Sequence, residues 1–420
     1  MLRVEILGGG SEIGRLAVHV SVNGANVLLD YGINFDENDI PQLPLHIEPK
    51  RVDILTLSHA HLDHIGAAPL LYISSNIKVY TTKVTRDLVK PMFEDFLNIS
   101  GYHLPFEYYE VNKLVQNVET VRYGDIIDEG NIRLEFASAG HIPGSMMTII
   151  HGKRKSLIFT GDVNTIDTNL VKGASFNGVK AEYLILEATY ADATHPPRDQ
   201  VEKRFIEAVK EVLENNGIVL IPAFALSRSQ EILCVLKKYG IEPVFYDGMV
   251  REINKILLSN LDFLNEKTLF EDAIVAYNEV RGWYIRKHIL DSPCVIVASA
   301  GMLKGGPALY YLKRIYENEK NAIFLVSFQA PNTPGYNILA TGSWGEGGVR
   351  VKARVEWFDF SSHAGKRELM EIVKSIENLE KVIIVHSEYE PASKLAQNIM
   401  EELGIEVIVA RNGMRVELED

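Results

Sequence analysis

The tightest constraint on this chain is the run Ser58-His59-Ala60-His61-Leu62-Asp63-His64, in which three imidazoles and a carboxylate fall within six residues. It follows the apolar segment Val52-Asp53-Ile54-Leu55-Thr56-Leu57, read as a strand ending at His59. It precedes Ile65-Gly66-Ala67-Ala68-Pro69-Leu70-Leu71, read as the start of a helix. Imidazole nitrogen and carboxylate oxygen suit Zn²⁺ and its neighbours, and no thiol is present in the run to favour a structural site. His59 and His61, two apart, point the same way as the strand runs out, whereas Asp63 and His64 lie half a helical turn further on and point elsewhere. One tetrahedral ion does not take all four, so the spacing calls for two metals side by side. A chance histidine cluster on a solvated loop is the competing reading, and the order H-x-H-x-D-H at a strand-to-helix junction weighs against it.

Other strand ends repeat the pattern. Leu28-Leu29 leads to Asp30, Ile132-Arg133-Leu134-Glu135-Phe136 leads to His141, and Ser156-Leu157-Ile158-Phe159 leads to Asp162. Four ligand-type residues emerging from apolar strands imply one shared rim. Asp30 reads either as a turn former at its strand end or as a carboxylate behind the ligands that orients a histidine. Tyr183-Leu184-Ile185-Leu186 delivers Glu187 in the same manner, and Val382-Ile383-Ile384-Val385 delivers His386. The glycines Gly8, Gly9, Gly10 and Gly14 miss the dinucleotide-loop spacing and precede a strand, so they read as a tight turn near a ligand.

After about residue 195 the texture changes to alternating helices and strands, which predicts an inserted parallel-sheet domain. Three polar features sit at its strand-to-helix junctions and carry Arg228, Ser299, Lys304 and Thr333, residues of the kind that meet phosphate. The aromatic stretch from Pro91 to Val111, with Phe93, Phe96, Tyr102, Phe106, Tyr108 and Tyr109, reads first as packing over the core and second as a base-stacking surface. The expected division is 1–191, 192–355 and 356–420, the outer two parts forming one domain.

Composition excludes some partners. A net charge of −13 argues against coating nucleic acid through bulk basicity, though not against binding it in a local groove. No apolar run has the length of a membrane span, and the N-terminus enters a strand without a signal-peptide pattern, so a cytoplasmic location is expected. Cys234 and Cys294, the only cysteines, read as buried thiols.

The order Asp30, His59-x-His61-x-Asp63-His64, His141, Asp162 resembles the metal motifs of the metallo-β-lactamase fold. Glu187, His363 and His386 look like the three extra motifs of its β-CASP nuclease branch, and the whole chain is similar to that branch. It is most like the endonuclease subunit of the cleavage and polyadenylation specificity factor in its short archaeal form, with ribonuclease J a neighbour. The resemblance implies an α/β fold: an αββα sandwich of the metallo-β-lactamase type with an inserted parallel-sheet β-CASP domain.

It also implies two Zn²⁺ per chain, one held by His59, His61 and His141 and the other by Asp63, His64 and His386, with Asp162 bridging. His363 would be the general acid, oriented by Glu187, and Ser361 would join Arg228, Ser299, Lys304 and Thr333 in contacting substrate. The implied reaction is hydrolysis of RNA phosphodiesters by water activated between two metals, leaving 5′-phosphate and 3′-hydroxyl ends. The mode is endonucleolytic or 5′-to-3′ exonucleolytic. RNA is the implied substrate, with no membrane partner and with room for a homodimer or an RNA-processing or RNA-decay complex. Two positions depart from the family pattern: Gly365 stands where aspartate usually follows His363-Ala364, and Ser387 where glycine usually follows His386. The inserted domain and His363 disfavour a small-substrate hydrolase of the same fold, and the complete ligand set disfavours a non-catalytic scaffold.

Overall fold

In Leu2–Gly8 the residues Leu2, Val4 and Ile6 are buried while Arg3 is exposed, the two-residue period of a strand with one face in a core. This strand pairs antiparallel with Ala17–Val22 on one side and Arg415–Leu418 on the other, so the two ends of the chain share a sheet. The structure is a computed structural model describing residues 2–100, 103–345 and 347–419. Contacts divide the chain into two compact units, one made of Met1–Asp167, Gly173–Thr194 and Ser362–Asp420 and the other of Thr168–Lys172 and His195–Ser361.

The first unit contains two seven-stranded sheets. One runs in the order Arg415–Leu418, Leu2–Gly8, Ala17–Val22, Ala25–Leu29, Ile54–Thr56, Lys78–Thr82, Val118–Val121. The other runs Glu406–Val409, Lys381–Val385, Tyr183–Glu187, Ser156–Phe159, Met146–His151, Ile132–Ser138, Ile126–Glu129. Their inner faces meet in a core that includes Val4, Val18, Leu134, Phe136, Phe159 and Ile185. On the outer face of the first sheet, Leu28 and Val79 pack with Phe93, Val111 and Leu114 from the helices Lys83–Ser100 and Tyr108–Gln116. On the outer face of the second, Leu184 and Ile384 pack with Leu369, Val373, Leu395 and Ile399 from Lys366–Ser375 and Tyr389–Leu403. Two sheets face to face with helices on both outer sides form the expected αββα sandwich.

The second unit is built on a six-stranded sheet in the order Asn278–Glu279, Val244–Asp247, Cys294–Ala298, Ile218–Pro222, Ala322–Leu325, Arg354–Trp357. Every pair in it is parallel. Its central strands are buried throughout, as strands covered on both faces must be. Phe205, Phe324, Phe358 and Phe360 form an aromatic knot against one face, with ring centroids 5.2–6.3 Å apart.

Several local expectations shift. The boundary placed near 355/356 falls inside the strand Arg354–Trp357, whose pairing with Ala322–Leu325 carries the second unit on to Ser361. A short segment, Thr168–Lys172, also belongs to that unit: buried Glu231 accepts from the backbone N–H groups of Asn169 and Leu170 at 3.3 and 2.8 Å. The helix expected from Ile65 begins at Leu62 and is followed by a 3₁₀ segment, Ala68–Ile73. In the aromatic stretch Phe93, Phe96 and Phe106 are buried, Tyr108 and Tyr109 are exposed, and Tyr102 lies outside the described residues. Both cysteines are buried free thiols.

Phe205 is fully buried at the centre of the aromatic knot. Phe205→Ala should therefore lower the unfolding free energy of the second unit by about 3–5 kcal/mol in a denaturant titration, and a loss under about 1 kcal/mol would show that the knot collapses around the cavity.

Candidate metal centre

Most of the ligand-type residues leave their sheets at the ends of strands. Asp30 follows Ala25–Leu29, His59 follows Ile54–Thr56, His141 follows Ile132–Ser138, Asp162 follows Ser156–Phe159, and His386 follows Lys381–Val385. Glu187 is the last residue of its strand. Asp63 and His64 sit in the first turn of Leu62–Ile65. Two sheets thus present their ends to one rim, all of it within the first unit.

Close approach at this rim needs glycine. At Gly161 φ is +54°, and a Cβ would lie 2.6 Å from Ser58 Cβ. At Gly32 a Cβ would lie 1.7 Å from the Asp63 carbonyl oxygen, so only glycine lets this segment reach the helix that carries the ligands. Asp30 and His386 take left-handed backbone conformations at φ 57° and 52°, a cost that the surrounding hydrogen bonds must offset. The glycine segment after Leu2–Gly8 reaches this rim too: the Gly9 carbonyl accepts from His386 N–H at 2.7 Å.

Two groups of ligand-type atoms share no residue: His59, His61, His141 and Asp162 form one and Asp63, His64 and His386 the other, while a third, Asp162, Glu187 and His386, overlaps both, the atoms of each group lying within 4.8 Å of one another. Asp162 lies between the first two: its Oδ2 is 3.5 Å from His59 Nε2, 3.6 Å from His141 Nε2 and 3.2 Å from His64 Nε2. The second group closes through Asp63 Oδ2, 3.3 Å from His386 Nε2 and 3.9 Å from His64 Nε2.

Each buried histidine is held at one ring nitrogen, which leaves the other for a ligand bond. Asp30 Oδ2 meets His64 Nδ1 at 2.7 Å. Ser58 Oγ lies 3.0 Å from His59 Nδ1 and donates to Asp30 Oδ2 at 2.7 Å. The Ser362 carbonyl lies 2.8 Å from His141 Nδ1, and Thr189 Oγ1 3.0 Å from His386 Nδ1. Ser58, Thr189 and Ser362 escaped the sequence reading because they are not ligand types. Their only signal is adjacency, Ser58 before the histidine run and Ser362 before His363.

Three observations show that the residues fit divalent cations. His64 Nε2, His386 Nε2 and Asp162 Oδ1 are buried with no hydrogen-bond partner among the described residues, a costly state unless another group meets them. His61 Nδ1 sits 3.0 Å from His59 Nε2 and 3.3 Å from His141 Nε2, so three imidazole nitrogens converge on one space. The charge states agree. Burial holds His59 and His141 neutral well below the usual imidazole range, and brings His61 down to about 4. Burial opposes ionisation of Asp63 and Asp162, yet His64 and His386 keep both carboxyls well below their ordinary range. His64 is also opposed by burial, but Asp162, Asp63 and Asp30 hold it well above its usual value, as expected where three carboxylates prefer a cation.

Glu187 and His363 lie at the same rim. The Glu187 carboxylate, fully buried, accepts from Val163 N–H at 3.1 Å and Thr189 N–H at 2.8 Å, and its Oε1 meets His363 Nδ1 at 3.0 Å. The His363 ring stands 4.4 Å from that of His141 and 5.9 Å from Tyr190, centroid to centroid. Burial penalises the charged ring, but Glu187 and Asp162 raise its pKa above the ordinary value. The two departures from the family pattern have simple settings. Gly365 is the N-terminal cap of Lys366–Ser375, and the left-handed residue at the second site is His386 itself, so Ser387 needs no glycine.

The candidate substrate contacts lie in the second unit. Arg228, Ser299 and Thr333 follow the C-terminal ends of three adjacent strands. Their loops touch, Gln329 Nε2 donating to the Gly301 carbonyl at 3.0 Å and Gly335 N–H to the Met302 carbonyl at 3.1 Å. Lys304 is exposed on the same loops. Thr333 is buried and caps the helix Pro334–Thr341, while the Ser361 carbonyl accepts from Arg198. The remaining histidines stand apart: His19 faces Glu5, His151 Glu135, His195 Asp359 and His288 Asp291, while His46 and His103 are exposed.

Asp30→Ala leaves His64 Nδ1 and Ser58 N–H without their acceptor. Metal affinity, measured by competition with a chromogenic chelator, should fall about 10–100-fold. An unchanged affinity would mean that Asp30 has no part in orienting His64.

Comparison with known proteins agrees with this geometry. Residues 15–207 match the metallo-beta-lactamase superfamily, 229–338 the Beta-Casp domain, and 348–410 the Zn-dependent metallo-hydrolase RNA specificity domain. The chain is 47% identical to RNase aCSPSF2 of Saccharolobus solfataricus over 99% of its own length and 85% of that protein. It is 35% identical to probable RNase MJ4 of Methanocaldococcus jannaschii, over 98% and 99%. It is 33% identical to transcription termination factor FttA of Pyrococcus horikoshii, over 98% and 70%. A crystal structure of a protein of unknown function from Enterococcus faecalis has the same fold, with a TM-score of 0.63 at 16% identity over 99% of this chain and all of that one. Among the described residues no helix is long and apolar enough to cross a membrane. The chain therefore belongs to the β-CASP metal-dependent ribonucleases of the metallo-β-lactamase superfamily, with the archaeal relatives of the cleavage and polyadenylation specificity factor endonuclease.

Proposed function

We propose that the chain is a zinc enzyme of RNA processing or decay that hydrolyses phosphodiesters with two metal ions, leaving 5′-phosphate and 3′-hydroxyl ends. The observation that carries this reading is the division of the ligand-type atoms into two groups with Asp162 reaching both. His59, His61 and His141 would hold one ion, Asp63, His64 and His386 the other, and Asp162 would bridge. Five imidazoles and two carboxylates are a donor set that suits Zn²⁺. When bound, such a pair makes a water acidic enough to act as nucleophile near neutral pH and polarises a phosphate oxygen.

The chain's own residues account for the rest of the reaction. Water oxygen joins phosphorus and the bond from phosphorus to the 3′-oxygen breaks, so the downstream fragment keeps the phosphate. His363 is the proton donor to the departing 3′-oxygen. Its Nδ1 is engaged by Glu187, which fixes the ring and leaves Nε2 to carry the transferred proton. Glu187 is itself fixed by two backbone N–H groups, so it serves as the orienting carboxylate. In the second unit Arg228, Ser299, Lys304 and Ser361 remain the proposed contacts to the RNA backbone, Arg228 and Lys304 supplying the charge, whereas Thr333, whose hydroxyl is engaged by the Ala330 carbonyl and Tyr336 N–H, is dropped from the set. The RNase names of two relatives support RNA as the substrate.

Two tests follow. Elemental analysis of the purified protein should find about two transition-metal ions per chain, and about one in His386→Ala. A single ion in both would overturn the two-metal arrangement. His363→Ala should cleave ordinary RNA about 10²–10⁴-fold more slowly with metal content intact. It should be largely restored on RNA whose leaving 3′-oxygen is replaced by sulfur, because a thiolate departs without a proton. Asp162→Ala should be restored on neither substrate. Loss of metal from the His363 variant, or equal slowing on both RNAs, would exclude the acid role.

A further inference from the structure

Residues 281–316 carry six Lys or Arg (Arg281, Arg286, Lys287, Lys304, Lys313 and Arg314) against a single acid, Asp291, in a chain whose formal charge is −13. Arg281 pairs with Glu279 just outside this stretch and Arg286 with Asp247, and Lys287, Lys313 and Arg314 coincide with an unusual exposure of aromatic rings. Trp283 is 69% exposed and Tyr284 77%, on the helix Trp283–His288 of the second unit. Rings of this size normally go to the interior, so two adjacent ones facing solvent point to a partner that covers them.

The array is rigid. Asp247, fully buried, accepts from Arg286 Nε at 2.6 Å and Nη2 at 2.9 Å, and from the Tyr311 hydroxyl at 2.8 Å. The guanidinium so held lies 4.9 Å from the centre of the Trp283 ring and 5.7 Å from that of Tyr310. Trp283 meets Tyr310 edge-on at 5.3 Å. Arg314 sits 3.5 Å from the Tyr310 ring centre. Two guanidinium groups thus lie against the Trp283 and Tyr310 rings. Beside them Lys287 and Lys313 are exposed and make no ion pair among the described residues.

Exposed ring faces beside unpaired cations match a ligand that has both flat bases and phosphates. We infer that this face of the second unit binds single-stranded RNA, bases stacking on Trp283 and Tyr284 while Lys287, Lys313 and Arg314 meet phosphates. The inference rests on RNA being the substrate and adds a holding surface beyond the residues that meet the reacting phosphodiester. A protein partner or a second copy of the chain would also cover the rings, but would gain little from the clustered cations.

The test uses the full chain in EDTA, so that RNA is bound without turnover, and follows anisotropy of a fluorescently labelled unstructured 30-nucleotide RNA. Trp283→Ala should weaken binding about tenfold and Trp283→Phe much less, because phenylalanine still stacks. Lys287→Ala with Lys313→Ala should flatten the dependence of log affinity on log salt by about 1.4, two phosphate contacts at about 0.7 each. Unchanged affinity in Trp283→Ala would overturn the inference. So would a change in sedimentation without a change in RNA affinity, which would assign the face to a protein contact. Thermal melting of each variant separates these results from misfolding. A wild-type chain that binds RNA without cleaving it once zinc is restored would count against the reaction and not against this surface. Trp283→Ala binding like wild type in a preparation that cleaves would count against the surface alone.

Discussion

The bond between Asp30 and His64 anchors the centre. Asp30 is fully buried, yet it lies between two groups that need an acceptor, Ser58 N–H at 2.7 Å and His64 Nδ1 at 2.7 Å. Through the Ser58 hydroxyl it also reaches His59. One carboxylate at one strand end thus sets the orientation of residues from both proposed metal groups. Without it two buried imidazoles would be free to turn, and the convergence of nitrogen atoms at the rim would be lost. That Asp30 takes a left-handed backbone conformation to do this is consistent with strain being tolerated where the surroundings over-determine a position.

A second constraint is the double-sheet scaffold. Paired sheets with helices outside bury a large apolar core, which can offset the cost of desolvating seven ligand-type side chains and Glu187. Four of the seven proposed ligands come from one stretch after Ile54–Thr56 and the other three from strands of the second sheet, so no single segment can hold them all. Their relative positions depend on strand register, and a one-residue slip would turn an emerging side chain to the opposite face. The proposed proton donor is positioned the same way. Glu187 lies at the end of a central strand between Ser156–Phe159 and Lys381–Val385, and its two backbone donors come from Val163 and Thr189.

The second unit contributes surface of a different kind. Its strand-end loops carry polar and small residues, as open parallel sheets commonly do where they meet ligands. Its outer helices carry the aromatic and basic array around Trp283 and Arg286. An overall negative charge and a basic patch are compatible because they occupy different places: the proposed RNA surface would then stand out against a background that repels RNA.

Much of this was legible in the residues alone. The H-x-H-x-D-H run, the repeated placement of an acid or histidine after an apolar strand, and the change of texture near residue 195 pointed to metals, a shared rim and an inserted parallel sheet. These are local signals, because hydrophobic period and ligand chemistry are written residue by residue. What only the tertiary structure decided is non-local. Ser58, Thr189 and the Ser362 carbonyl became supports for ligand histidines because folding brings them beside Asp30, His386 and His141. The strand Arg354–Trp357 joined the insert because Ala322–Leu325 offered it an edge. Thr333 proved to be a helix cap, a use that a threonine before proline shares with many turns. Trp283 and Arg286 became one surface with Tyr310 only when Asp247 fixed the guanidinium between them. Spacing along a chain determines which atoms are available; packing determines which of them meet.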